Sequence, residues 1–180
     1  MHPSFISRLC LIALGLTLYL PAHADPAVGV RAGGGEGLRL YSLFGRWPSP
    51  WLQEHVVAPF FSDTVQAYWD VSVERWEGDE IGDEATNSTE VFIIGPVVRV
   101  NWPSRRLFLL VGVQPSYMTH SVIDDDDMGG NIQFTSHAEL AWTPLDRLTI
   151  GLRGQHTSNS RLYKPNPGMN LASVTLAYNF

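Results

Sequence analysis

Leu148-Thr149-Ile150-Gly151-Leu152-Arg153-Gly154-Gln155-His156-Thr157-Ser158 sets Leu148, Ile150 and Leu152 on one side of an extended chain and Thr149, Gly151 and Arg153 on the other. Through Gly154, His156 and Ser158 continue the apolar series. The last run behaves alike: Asn170 falls in register with Val174, Leu176, Tyr178 and Phe180, while Ser173, Thr175, Ala177 and Asn179 form the other face. Three polar residues therefore extend two apolar faces. On one strand, residues two apart lie about 6.5–7 Å apart at Cα, so an imidazole and a hydroxyl are within reach as base and nucleophile. Pairing Ser158 opposite Asn170 on adjacent antiparallel strands would bring all three side chains to one patch.

Working outward, the same period of two recurs. From Val65, the series Val65, Ala67, Trp69, Val71 and Val73 opposes Gln66, Tyr68, Asp70, Ser72 and Glu74. Between Asn131 and Trp142, Ile132, Phe134, Ala138, Leu140 and Trp142 oppose Gln133, Thr135, His137 and Glu139. Leu38–Trp47, Glu90–Val100 and Arg106–Thr119 are apolar on both faces in part, and a short run at Ala27–Ala32 completes eight strands with those at Arg147–His156 and Asn170–Phe180. No stretch beyond the amino terminus is long enough for a membrane helix, whereas a membrane strand needs only about 9–11 residues. The expectation is an all-β fold, an eight-stranded antiparallel transmembrane β-barrel. A soluble lipocalin-like barrel is the rival, and the terminal Phe180 with alternating Tyr178 and Leu176 argues against it. Asn101–Arg105 and Thr143–Asp146 read as tight periplasmic turns. Pro48–Ser62 would also be periplasmic and is too long for one; the sequence gives it no structural reading.

Arg8, the apolar run Leu9–Leu20 and Pro21-Ala22-His23-Ala24 have the layout of a secretory signal, so residues 1–24 are expected to be removed and 25–180 to form the barrel. That removal takes away Cys10, the single cysteine, and with it any intramolecular disulfide. The remainder carries 18 acidic and 11 basic residues, with Lys164 the one lysine, which excludes nucleic acid as a natural partner. Within so narrow a barrel, Asp70, Glu74, Arg99, Glu139 and Arg153 are expected to pair with one another, leaving no pore. Asp124–Asp127 lacks the alternating ligands and closing glutamate of a calcium loop. His55, His120 and His137 have no metal-ligand spacing, so neither metal nor cofactor is expected.

The carboxyl-terminal third resembles the PagL family of outer-membrane lipid A 3-O-deacylases. The resemblance rests on His156-Thr157-Ser158-Asn159, Pro165-Asn166-Pro167-Gly168 and Asn170, and continues more faintly through Tyr68-Trp69-Asp70 and Trp76-Glu77-Gly78. It implies a serine esterase acting from the lipid side of the barrel in the bacterial outer membrane, with lipid A of lipopolysaccharide as substrate and no cofactor. By carry-over, Ser158 is the nucleophile, His156 the general base and Asn170 the orienting third member. Asn159 and Asn166 fall at the oxyanion or substrate-binding positions. Two departures stand out: the family's best-known member has glutamate where Asn170 stands, and Ser160-Arg161 replaces small residues and glycine. An asparagine holds an imidazole tautomer but brings no charge, so either the activity is lower or another acid assists. Arg161 and Lys164 are either contacts for lipid A phosphates or solvated loop cations. The alternative of a different class is a non-enzymatic structural or adhesive barrel, and a homodimer is left open.

Overall fold

The computed structural model describes residues 26–78, 87–104, 106–124 and 126–180. The expected signal segment lies outside them. Eight strands form the barrel, in chain order β1 (Ala27–Gly35), β2 (Leu38–Pro48), β3 (Val65–Gly78), β4 (Ser88–Asn101), β5 (Leu107–Met118), β6 (Ile132–Leu145), β7 (Leu148–Ser158) and β8 (Met169–Asn179), and Val122–Ile123 pairs with Asp126–Asp127 in a small separate sheet. Each barrel strand pairs antiparallel with its sequence neighbour, and β1 pairs with β8 from Ala27 opposite Asn179 to Gly34 opposite Ala172, closing the barrel. The strand ends differ from the sequence expectation by up to four residues, mostly by extension toward the loops. Closure satisfies every strand edge, which a bilayer requires because lipid offers no hydrogen bonds.

Alternation sorts the side chains as the sequence implies. Along β7 the inward positions Thr149, Gly151, Arg153, Gln155 and Thr157 are buried, and the outward Ile150, Leu152, Gly154 and His156 are exposed. On β8 the outward row runs Asn170, Ala172, Val174, Leu176 and Tyr178. The lumen is filled in layers. Toward the outer end, Leu38, Leu40, Trp76, Val91, Ile93, Met118, Met128, Met169 and Leu171 pack into one apolar plug. Below it, Asp70 lies 3.0 Å from Arg46 and 3.5 Å from Arg31, and Glu139 approaches Arg31, Arg46 and Arg153 at 3.8–4.0 Å. Glu74 accepts from Trp76 and Gln155 at 2.9 and 2.8 Å.

This corrects the expected lumen network in two members, since Glu74 is held by Trp76 and Gln155 rather than by an arginine and Arg99 stands apart from the acids. Arg99 lies near the periplasmic rim, bonded to Asn101 and stacked 3.7 Å from the Phe108 ring, while Arg31 and Arg46 supply the cations facing the acids. The reason is height: Arg99 is two residues from the end of β4, below the level of Asp70 and Glu139.

The Pro48–Ser62 connection has a clear structure. Ser49 caps a short helix, Pro50–Leu52, by accepting from the Leu52 N–H, and Pro50 occupies the first helical position, where its missing donor costs nothing. The helix widens into a π-turn over Gln53–Val57. The Gln53 side chain then clamps the segment to β3, donating to Val65 O and accepting from Ala67 N at 3.2 and 2.8 Å. Val57, Val65 and Ala67 pack together against Leu52, Val98 and Val100, so the segment lies on the outside wall at the periplasmic end. Trp51, Val56, Phe60 and Phe61 project from it, exposed. Aromatic side chains in that place suit a membrane interface.

Candidate active site

His156, Ser158 and Asn170 all lie on the outward face, at the end of the barrel away from the tight turns. Their pairing differs from the expectation: Asn170 stands opposite His156, and Ser158 stands opposite Phe134 of β6. The cause is the connecting loop, which folds back on itself so that β8 starts at Met169, opposite Thr157. The shift places the asparagine beside the ring it would orient. His156 Nδ1 and Asn170 Oδ1 are 2.9 Å apart, and Ser158 Oγ has no hydrogen bond to any described residue.

A group absent from the sequence reading completes this row. Glu36, in the turn between β1 and β2, receives the Asn170 side-chain Nδ2–H on one carboxylate oxygen and the Asn170 backbone N–H on the other, both at 2.9 Å. Glu36 adopts φ 53° between Gly35 and Gly37, the latter at φ 81°, a left-handed turn that glycine neighbours make accessible. The two hydrogen bonds from Asn170, and then the charge of His156, hold its carboxyl below the usual carboxylate range. The one signal that could have found it is register. Because β1 closes against β8 with Gly34 opposite Ala172, the turn beyond Gly34 falls beside Asn170.

The proline-rich motif has a spatial reason as well. Gly168 adopts φ 75°, and a Cβ there would lie 2.6 Å from His156 Cε1. Only glycine fits both the backbone and the ring.

The loop from Asn159 to Gly168 is knitted from within. Asn159 is fully buried; its Nδ2 donates to Met128 O and Pro165 O, and its backbone N–H donates to Asn166 Oδ1, all at 2.9 Å. Its donors are spent, so Asn159 ties this loop to the neighbouring one rather than offering a free donor. Asn166, by contrast, is exposed, and with its Oδ1 engaged its Nδ2 hydrogens remain available. Ser160 and Arg161 both take left-handed conformations, φ 51° and 67°. Each costs about 1–2 kcal/mol in a non-glycine residue, strain of the kind that gathers at functional sites. Arg161 thus reaches the conformation that glycine would take, and its backbone N–H is not used by any described residue. Arg161 and Lys164 are exposed.

An open groove of about 1000 Å³ adjoins His156 and Asn170 on the outer wall. Gly154, Ser136, Ala138 and Ala172 leave it shallowly cut, and Val111, Val113 and Leu52 line its farther part. No cluster of three or more His, Cys, Asp or Glu able to hold a metal occurs among the described residues.

The family described as "Lipid A 3-O-deacylase (PagL)" matches residues 37–179. A lipid A deacylase PagL of Bordetella bronchiseptica is 32% identical over 81 residues, 44% of each chain. The chain thus spans under half the length of that relative. A lipid A deacylase PagL of Pseudomonas aeruginosa is 24% identical over 155 residues, 85% of this chain and 83% of the other. The crystal structure of the outer membrane enzyme PagL superposes with a TM-score of 0.68 at 19% identity, covering 84% of this chain and 97% of that one.

Proposed function

Since the chain belongs to the PagL family of lipid A 3-O-deacylases and is thereby an ester hydrolase of the outer membrane, we propose that Ser158, His156 and Asn170 carry its reaction. Ser158 Oγ attacks the carbonyl carbon of the acyl chain esterified at position 3 of lipid A, and His156 Nε2 takes the hydroxyl proton. The tetrahedral intermediate collapses by breaking the bond to the sugar oxygen, which leaves as the hydroxyl with the proton returned from His156. Water, deprotonated by the same imidazole, then attacks the acyl-serine and releases the fatty acid.

Asn166 Nδ2 and the backbone N–H of Arg161 are the donors for the oxyanion. Asn159 holds the loop that presents them. Removing one such donor typically costs about 10²–10³ in rate. Arg161 and Lys164 contact the lipid A phosphates.

The observation that carries this reading is the 2.9 Å contact between His156 and Asn170 on the lipid-facing wall, next to an unengaged serine hydroxyl. A structural barrel gains nothing from such a row, since polar groups facing lipid are costly. Height supports it too. The 11-residue strand β7, at ~3.4 Å per residue and a tilt of about 40°, climbs about 26 Å, the thickness of the apolar band of an outer-membrane barrel. Ser158 at its end therefore meets an ester just below the headgroups without lifting the lipid out. The apolar groove beside His156 suits the acyl chain. A second copy of the chain is not needed for any of these contacts.

Mass spectra of lipid A from cells expressing the wild type and Ser158→Ala decide the matter. The wild type should lose the mass of the 3-linked chain and the variant should not. Retained cleavage in the variant would overturn the assignment of the nucleophile.

A further inference from the structure

Asn170 leaves a gap in this machinery, because an amide brings no negative charge to the imidazolium that forms as Ser158 attacks. Nor does an amide orient itself: rotated by half a turn, it would offer Nδ2–H to the ring and hold the wrong tautomer. Resting on the assignment of His156 as base, we propose that Glu36 is a positioning residue that fixes Asn170, and through it His156, and that it supplies the missing charge.

The argument runs from what each atom can do. An ionised carboxylate only accepts hydrogen bonds, so both contacts at 2.9 Å require donors from Asn170, its backbone N–H and its Nδ2–H. With Nδ2 committed to Glu36, Oδ1 faces the ring, and an amide oxygen only accepts. The proton on His156 therefore sits on Nδ1, leaving Nε2 bare. The carboxylate thus selects the tautomer that the reaction needs. It comes from the opposite end of the chain, 134 residues from Asn170, through the seam where β1 meets β8. Its depressed pKa keeps it ionised well into the acid range. Ser136 and Gly168, which face the ring from β6 and from the loop, carry no charge, whereas the carboxylate of Glu36 couples to His156 by charge.

The test moves the charge rather than only removing it. Purified, folded full-length protein is assayed on 3-acylated lipid A in mixed micelles as wild type, Glu36→Gln, Asn170→Glu and the double variant. Glu36→Gln should lower kcat about tenfold, the size of a Coulomb attraction across two hydrogen bonds at an interfacial dielectric, with KM within about twofold. Asn170→Glu alone should also be impaired, since it sets two carboxylates side by side. The double variant should recover to within about threefold of wild type, as one carboxylate again faces the ring. A Glu36→Gln enzyme with wild-type kcat, or a double variant no better than Asn170→Glu, would overturn the role of Glu36. Ser158→Ala, run alongside, separates the two claims: if it still cleaves, the assignment of the base and nucleophile fails with it.

Discussion

His137 and His156 sit almost back to back in the same wall, one facing the lumen and one the lipid. His137 stands opposite Gln155, the residue before His156, and each imidazole lies against a glycine: a Cβ on Gly112 would be 2.7 Å from His137, and one on Gly168 would be 2.6 Å from His156. They differ in what holds the ring. His137 is buried just outward of the arginine–carboxylate layer, two residues from Glu139 on the same strand, and both its ring nitrogens lack a hydrogen-bond partner. His156 has one nitrogen fixed by Asn170, backed by Glu36, and stands open to the membrane. On the proposed reading, residue type does not make a base; a fixed tautomer and access to substrate do.

That contrast can be broken most severely at the rings themselves. His156→Gln should reduce deacylation at least about 10³-fold without altering the folded barrel, whereas His137→Gln should stay within about threefold. Paired rates and heat-modifiable gel mobility would check it. On the lumen side, Asp70→Asn leaves Arg31 and Arg46 facing an uncharged partner in a buried site, and should cost about 3–5 kcal/mol in urea unfolding while the folded fraction keeps its activity. Gly168→Ala pushes directly on the His156 ring. A displacement near 1 Å should lower kcat about 10²-fold, alongside a stability loss of about 1–2 kcal/mol from the left-handed backbone, read by turnover beside a melting curve. The mildest change is Arg161→Gly, which relieves a left-handed conformation but gives up the cation proposed to meet a phosphate: unfolding stability should stay within about 1 kcal/mol and kcat within about twofold, while KM rises a few-fold.

The pH dependence follows from the same asymmetry. The pKa of Glu36 is lowered by folding, so the stabilisation from its contacts is complete above its ordinary value of 4.5 and fades only as pH falls through the depressed value. Stability of Glu36→Gln should converge on that of wild type in that acid window.

The period-two alternation of β3, β6 and β7 was enough to derive the barrel and the facing of His156 and Ser158, because a lumen packed with side chains and a wall of lipid impose opposite chemistry on successive residues. Register was less legible. The pairing of Asn170 with His156 depends on how many residues the loop after Ser158 consumes in folding back, and hydrogen bonds from Asn159 to Asn166 and Pro165 decide that number. Glu36 was hidden for a related reason: Gly35-Glu36-Gly37 reads as an ordinary tight turn until β1 closes on β8. The segment at Pro48–Ser62 escaped too, since a π-turn held by a single glutamine has no periodicity to find.

The outward aspect of the His156 row changes what concentration means for this enzyme. Its substrate arrives sideways, by diffusion within a single leaflet, so the relevant variable is mole fraction in the surface rather than molarity in solution. Diluting lipid A with inert amphiphile should slow turnover even when the amount of lipid A per millilitre is held constant.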